Sequence, residues 1–170
     1  MNRLIILGAG GYGKVIEDLA SSNNLFDKIY FLDDKSKGED ILNRCETYKY
    51  YINEETTFYP AFGNNEMRLY WVKKLKENNA KILTYIHDSS YISNKCEVKD
   101  GVIIMPNVII QRDTIIKDGC IINSGAIIDH NCIIEEGVHV CLGAIIKADN
   151  HIPSYLKIDA GKVIENNIYK

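Results

Sequence analysis

An aliphatic residue returns at every sixth position along the second half of this chain, from Ile86 to Ile146. Taking Ile92 as position one, the same position falls on Val98, Ile104, Ile110, Ile116, Ile122, Ile128, Ile134, Val140 and Ile146. Position five is small or β-branched, as at Val102, Val108, Thr114, Ala126 and Val138, and position four is Gly, Asn or Asp from Gly101 to Gly143. A helix repeats its apolar face every 3.6 residues and a strand every 2, so a six-residue beat with turn formers at a fixed phase belongs to a solenoid. Short strands must run from position five to positions one and two of the next hexad, with positions five and one filling the interior. Each coil then rests on its neighbours, giving a parallel β-helix.

Position six points away from that interior, yet it is isoleucine at Ile103, Ile109, Ile115, Ile121, Ile127, Ile133 and Ile145. So apolar an exterior implies self-association. The cysteines keep the same beat: Cys96, Cys120 and Cys132 are separated by multiples of six, and none of the five cysteines forms a CxxC pair. They read as small core residues of a protein in a reducing compartment.

The first 84 residues follow a different pattern. Leu4-Ile5-Ile6-Leu7 reads as a buried strand, Gly8-Ala9-Gly10-Gly11-Tyr12-Gly13 as the turn after it, and Lys14 to Ala20 as a helix. A second strand, Ile29 to Leu32, ends in Asp33-Asp34. Thr57 to Phe62 and Lys81 to Thr84 supply further strands, with a helix from Asn64 to Glu77 carrying Met67, Tyr70, Trp71 and Leu75 on one face. Strand, GxGxxG, helix, strand, acid is the order of a dinucleotide-type α/β unit, in which glycines admit a phosphate to the backbone and a helix N-terminus supplies amide donors. Only half of a two-lobed domain is present, so a mononucleotide suits it better than NAD. Gly63-Asn64-Asn65 sits at another strand-to-helix junction and can close the same site.

A net charge of -3 and a pI near 5.8 leave no basic footprint for nucleic acid, and no apolar run approaches the roughly 18 residues of a membrane span. The apolar run at Leu4–Leu7 is too short for a signal peptide, so a cytoplasmic protein is expected.

The glycine-loop unit joined to a hexapeptide prism resembles the NeuD/PglD-type sugar acetyltransferases. The resemblance implies a Rossmann-like nucleotide-sugar-binding domain over residues 1–84 and a left-handed β-helix over 85–170. That helix has three hexads per coil, a little over three coils and a shortened end that closes early, from Gly143. It implies a homotrimer transferring acetyl from acetyl-CoA to the amino group of a UDP-linked sugar in surface polysaccharide or glycan synthesis, without a metal. Gly10, Gly11 and Tyr12 match the family's phosphate loop, whose last position is often histidine; Gly8 and Gly13 complete the motif. Asp33 and Asp34 match its acidic pair near the nucleoside, and Gly63 and Asn64 match its GNN.

Acetyl transfer needs a base for the acceptor's proton and donors for the tetrahedral oxygen. Of four histidines, His87 precedes the prism and His151 falls in the tail, leaving His130 and His139 in the repeat. Two are too few for the three-histidine zinc site of related prisms. His130 takes position three, a corner, while His139 takes position six and Asn123 position two, both outward. On three-hexad coils Asn123 and His139 share a face and His130 lies at the opposite corner, so the three meet only between subunits. The family match makes His130 the base, with His139 and Asn123 near the acetyl group. Asn131 replaces the family's acid after the base, leaving Asp129 as its neighbouring carboxylate, and Gly143 and Ala144 are the backbone expected near the thioester. Two alternatives stand beside this: O-acetylation of a sialic-acid-type sugar, and a non-catalytic scaffold trimer that binds a nucleotide-sugar.

Overall fold

The computed structural model describes residues 1–22 and 24–170, which divide into two compact units, Met1–Leu83 and Thr84–Lys170. The first contains β1 (Arg3–Leu7), α1 (Gly11–Ser22), β2 (Lys28–Leu32), β3 (Ile41–Asn43), a 3₁₀ helix (Cys45–Tyr51), β4 (Thr56–Pro60), α2 (Asn65–Glu77) and β5 (Lys81–Ile82). The strands form one parallel sheet in the order β3-β2-β1-β4-β5. Leu4 to Leu7 are wholly buried, because a central parallel strand is covered on both faces and so is apolar at every residue. The chain winds from β1 outward to β2 and β3, then returns to β4 on the other side of β1. The reversal opens a crevice beyond the carboxyl ends of β1 and β4.

Two elements here escape the sequence patterns. β3 is three residues long, too short for an alternation to register, and the 3₁₀ helix buries Cys45 and Tyr48 while Tyr51 packs at the core's edge. Tyr48 packs edge-on against Phe58 and Trp71. Lys74 of α2 reaches back over the Trp71 ring, 4.7 Å from its centre, to bind Glu46 at 2.6 Å. That contact ties the 3₁₀ helix to α2. The buried face of α2 also differs from the expected one: Leu69, Val72 and Leu75 turn inward with Arg68 and Trp71, while Met67 and Tyr70 are 46% and 51% exposed. Met67 and Tyr70 form a neighbouring i, i+3 row, which apolarity alone does not separate from the core row.

The second unit is a left-handed β-helix of two-residue strands in three parallel sheets of five, five and four strands. One face stacks Tyr85–Ile86, Ile103–Ile104, Ile121–Ile122, His139–Val140 and Lys157–Ile158. The second stacks Tyr91–Ile92, Ile109–Ile110, Ile127–Ile128, Ile145–Ile146 and Val163–Ile164. The third stacks Glu97–Val98, Ile115–Ile116, Ile133–Ile134 and His151–Ile152. Position one is buried at every step from Ile104 to Ile164. Position four has positive φ at every sixth residue from Gly101 to Asn167, which is why Gly, Asn and Asp predominate there.

Those left-handed corners continue through Asp149, Tyr155, Gly161 and Asn167, and the strands continue through Ile152, Ile158 and Ile164. The expectation of a little over three coils with a closing tail from Gly143 is therefore corrected: more than four coils stack, and His151 lies in a strand. Tyr155 hid the continuation, because a bulky residue at a left-handed corner, φ 65°, is not a turn signal. Asn150 hid it too, occupying position five as a buried polar side chain. Its amide nitrogen donates to Lys147 O and Glu165 O, and its oxygen accepts from Tyr169 N at 3.0 Å. Among the position-six isoleucines, Ile103 and Ile121 are buried within the chain, while Ile109, Ile115, Ile127, Ile133 and Ile145 stay partly exposed.

Asn150→Leu strands three backbone groups at once. It is expected to cost about 2 kcal/mol or more in urea denaturation and to speed amide exchange at Tyr169, while exchange in β1 stays unchanged.

Candidate active site

Each unit contributes its own cluster. In the first, Gly8 follows β1 with φ 99°, and a Cβ there would meet Ala61 O at 3.3 Å and the Phe62 ring at 3.4 Å. A Cβ on Gly13 would lie 2.1 Å from Gly8 O, so α1 can settle onto the loop only with glycine there. These two glycines are explained by packing alone. Gly10, Gly11 and Gly63 are different: a Cβ on any of them meets nothing within 4 Å, and none has positive φ. Nothing among the described residues requires them to lack a side chain, and they follow β1 and β4, at the strand ends where sheets of this kind let a ligand approach the backbone. No acidic side chain occupies the first turn of α1 itself.

The remaining residues expected in this cluster have other work. The Tyr12 hydroxyl turns inward to meet that of buried Tyr59 at 3.0 Å; burial, then the Tyr59 contact, pushes its pKa well up. Asn64 caps α2, its Oδ1 accepting from Met67 N at 2.8 Å. Asp33 Oδ2 accepts from Ala9 N at 2.7 Å, and its Oδ1 accepts from Lys35 N at 2.8 Å and Ser36 N at 2.6 Å. Asp34 is exposed and accepts from Cys45 N at 3.2 Å. Beside the pair lies a cleft of about 410 Å³ whose wall includes Lys35, Lys37, Asn43 and Arg44. Sequence reasoning missed these cations, although Lys35-Ser36-Lys37-Gly38 directly follows the acids. It also missed Arg68, fully buried, whose Nη1 donates to Phe62 O and Nη2 to Asn65 Oδ1, both at 2.9 Å, holding the turn around Gly63.

In the prism, His139 lies in a strand paired with Ile121–Ile122, with Ile121 opposite it, and Asn123 directly follows that strand, its amide donating to Val140 O at 2.9 Å. Both are partly exposed. His130 is exposed at the corner between the other two faces, so one prism does not bring the three together. Asp129 does not face the imidazole with both oxygens: its Oδ1 accepts from the His130 backbone amide at 2.8 Å. One coil above the corner, Asp149 donates its amide to His130 O and accepts from Asn131 Nδ2 at 3.1 Å. An offset of 18 residues, one coil, could have flagged that second carboxylate. The Gly143 amide donates to Ser124 O and the Ala144 amide to Cys141 O, so neither points a free donor at a thioester; Ala144 faces the core. No group of three His, Cys, Asp or Glu among the described residues is placed to hold a metal. No helix among them is long and apolar enough to cross a membrane.

Burial alone would raise the pKa of Asp33, but the amides of Ala9, Ser36 and Lys35 outweigh it and lower it from 3.8 to about 2. A folded-state pKa below the unfolded one contributes stability that is present above about pH 4 and is lost as pH falls towards 2. The gap in urea midpoint between wild type and Asp33→Asn is expected to shrink from pH 5 to pH 2. A gap constant over that range contradicts the assignment.

Residues 3–75 match the family model described as the PglD N-terminal domain. UDP-N-acetylbacillosamine N-acetyltransferase of Bacillus subtilis (strain 168) is 32% identical over 112 residues, 62% of this chain and 52% of that protein. The chain thus matches about half the length of that curated relative. The acetyltransferase domain of PglB from Neisseria gonorrhoeae FA1090 superposes with a TM-score of 0.92 at 26% identity, covering 98% of this chain and 83% of that one. A second structure of that domain, in complex with acetyl coenzyme A, gives 0.91 at 27% over the same shares. PerB from Caulobacter crescentus, in complex with CoA and GDP-perosamine, shares the fold at 18% identity, with a TM-score of 0.64 over 98% of this chain and 90% of that one. The N-terminal unit is thus a PglD-type N-terminal domain, and the chain as a whole is similar in fold and order of units to the PglB acetyltransferase domain.

Proposed function

We propose that this protein transfers acetyl from acetyl-CoA to the amino group of a UDP-linked amino sugar, in the synthesis of a surface polysaccharide or glycan. The observation that carries it is the trio Gly10, Gly11 and Gly63 just after β1 and β4, exposed glycines whose backbone the fold leaves open, joined in one chain to a prism displaying His130 at an exposed corner. The names of the relatives support the same chemistry: an N-acetyltransferase of a UDP-sugar at 32% identity, and an acetyltransferase domain in complex with acetyl coenzyme A at 27%.

In this reading the first unit grips the nucleotide: backbone at the glycine loop and the α1 N-terminus meets the diphosphate, and the cleft beside Asp34, Lys35 and Arg44 takes the nucleoside. The amine attacks the thioester carbonyl, a C–N bond forms, His130 accepts the amine's proton, and the C–S bond breaks to release CoA thiolate. His139 and Asn123 of a neighbouring subunit flank the acetyl group. The partly exposed Ile109, Ile115, Ile127, Ile133 and Ile145 supply the apolar surface for such a trimer.

Two measurements test this. Release of CoA thiol with UDP-linked 2-amino and 4-amino sugars is expected to fall by about 100-fold or more in His130→Ala, with the trimer intact by sedimentation. Activity retained in that variant refutes the base, and sugar-nucleotide binding without any CoA release points to a scaffold. For the crevice, Gly10→Ala and Gly11→Ala are expected to stay within about 0.5 kcal/mol of wild-type stability yet lose about tenfold or more in nucleotide-sugar affinity. Gly13→Ala, by contrast, is expected to destabilise the fold by about 1–3 kcal/mol, because Gly8 O stands in the way of its side chain.

A further inference from the structure

We infer that Asp33 is a positioning residue: its carboxylate clamps the glycine loop to the turn after β2 and does not itself touch the nucleotide. The inference rests on the nucleotide-binding reading above and reassigns one of its residues. A carboxylate offers about four lone-pair sites, and amides of the loop after β1 and of the turn after β2 take three of those on Asp33. Oδ2 holds Ala9 N at 2.7 Å, while Oδ1 holds Lys35 N at 2.8 Å and Ser36 N at 2.6 Å. An acid that reads a ribose hydroxyl needs an open oxygen, which exposed Asp34 is better placed to offer.

The clamp has a geometric purpose. Gly8 N donates to Leu32 O at 2.8 Å, continuing the β1–β2 ladder by one bond, and Gly8 then turns with φ 99°. Past that point the loop has left the ladder, and the next amide, Ala9, is secured by Asp33. Securing it there fixes the course of Gly10 and Gly11, the residues left open towards the crevice. Charge-assisted bonds to backbone amides are stronger than neutral ones, which suits a carboxylate to the task. Asn at position 33 keeps an oxygen for the Lys35 and Ser36 amides but turns an NH₂ group towards the Ala9 N–H, so only the loop clamp is lost.

The test combines site-resolved amide exchange on the ligand-free full chain with calorimetric titration of UDP and GDP. The Ala9 amide is expected to be protected in wild type and in Asp34→Asn, and to lose protection in Asp33→Asn while the Cys132 amide in the prism keeps its own. Asp33→Asn is expected to weaken UDP and GDP by the same factor, about tenfold, because a misplaced phosphate loop is indifferent to the base. Unequal losses for the two nucleotides with Ala9 still protected would make Asp33 a ligand contact and overturn the inference. If Asp33→Asn does not fold, the wild-type exchange decides: a freely exchanging Ala9 amide refutes the clamp. Wild type that binds neither UDP nor GDP sinks the nucleotide reading itself, a failure distinct from any result at Ala9.

Discussion

Left-handed backbone at every sixth residue is the constraint on which the second unit depends. From Gly101 to Asn167 each such residue turns the chain by one corner, and three corners return it above its start, so residue i stacks on residue i+18. The backbone bonds of each inner strand then run to the coils above and below. Side chains on the inner face have no freedom beyond size, which is why the interior is a column of isoleucine and valine next to small residues. Where a polar side chain enters that column it is bonded: Ser90 bridges Met105 O and Val108 N, Thr114 bridges Asp129 O and Cys132 N, and Asn150 holds the last turn to Tyr169.

In the first unit the equivalent constraint is the reversal of strand order at β1. It leaves two loops, after β1 and after β4, side by side with nothing between them, and each is held by a charged side chain. Asp33 accepts the Ala9 amide on one side; Arg68, buried in α2, donates to Phe62 O on the other. Gly8 brings the two loops into contact, since a methyl group there would press on Ala61 O. What these two loops leave open is therefore backbone, held from behind by the side chains of Asp33 and Arg68.

Several assignments made from the residues changed meaning once neighbours were visible. Asp33 and Asn64 were legible as polar residues at strand ends, but their oxygens turn out to bind amides of their own unit. Tyr12, in place of a histidine, turns to Tyr59, a partner 47 residues away that no local pattern reveals. Gly143 and Ala144 spend their amides on Ser124 and Cys141. His151, read as tail, stands in a strand with its Nε2 2.6 Å from Glu135 Oε1.

By itself the sequence determined the order of the two units, the period and phase of the prism, its core positions, and the glycine loop between β1 and α1. These are local quantities: hydrophobic period, turn propensity and the steric needs of glycine are set within a few residues. Tertiary structure alone decided how far the prism runs past Ile146, which isoleucines of position six stay exposed, which face of α2 is buried, and which polar atoms remain open for a ligand. A hydrogen-bond acceptor is used once its donors are in place, and some of those donors come from residues distant in the chain, as Ala9 does for Asp33. How far a carboxylate is spent on backbone amides is therefore a property of the folded molecule: of two acids adjacent in sequence, Asp33 holds three amides and the exposed Asp34 holds one.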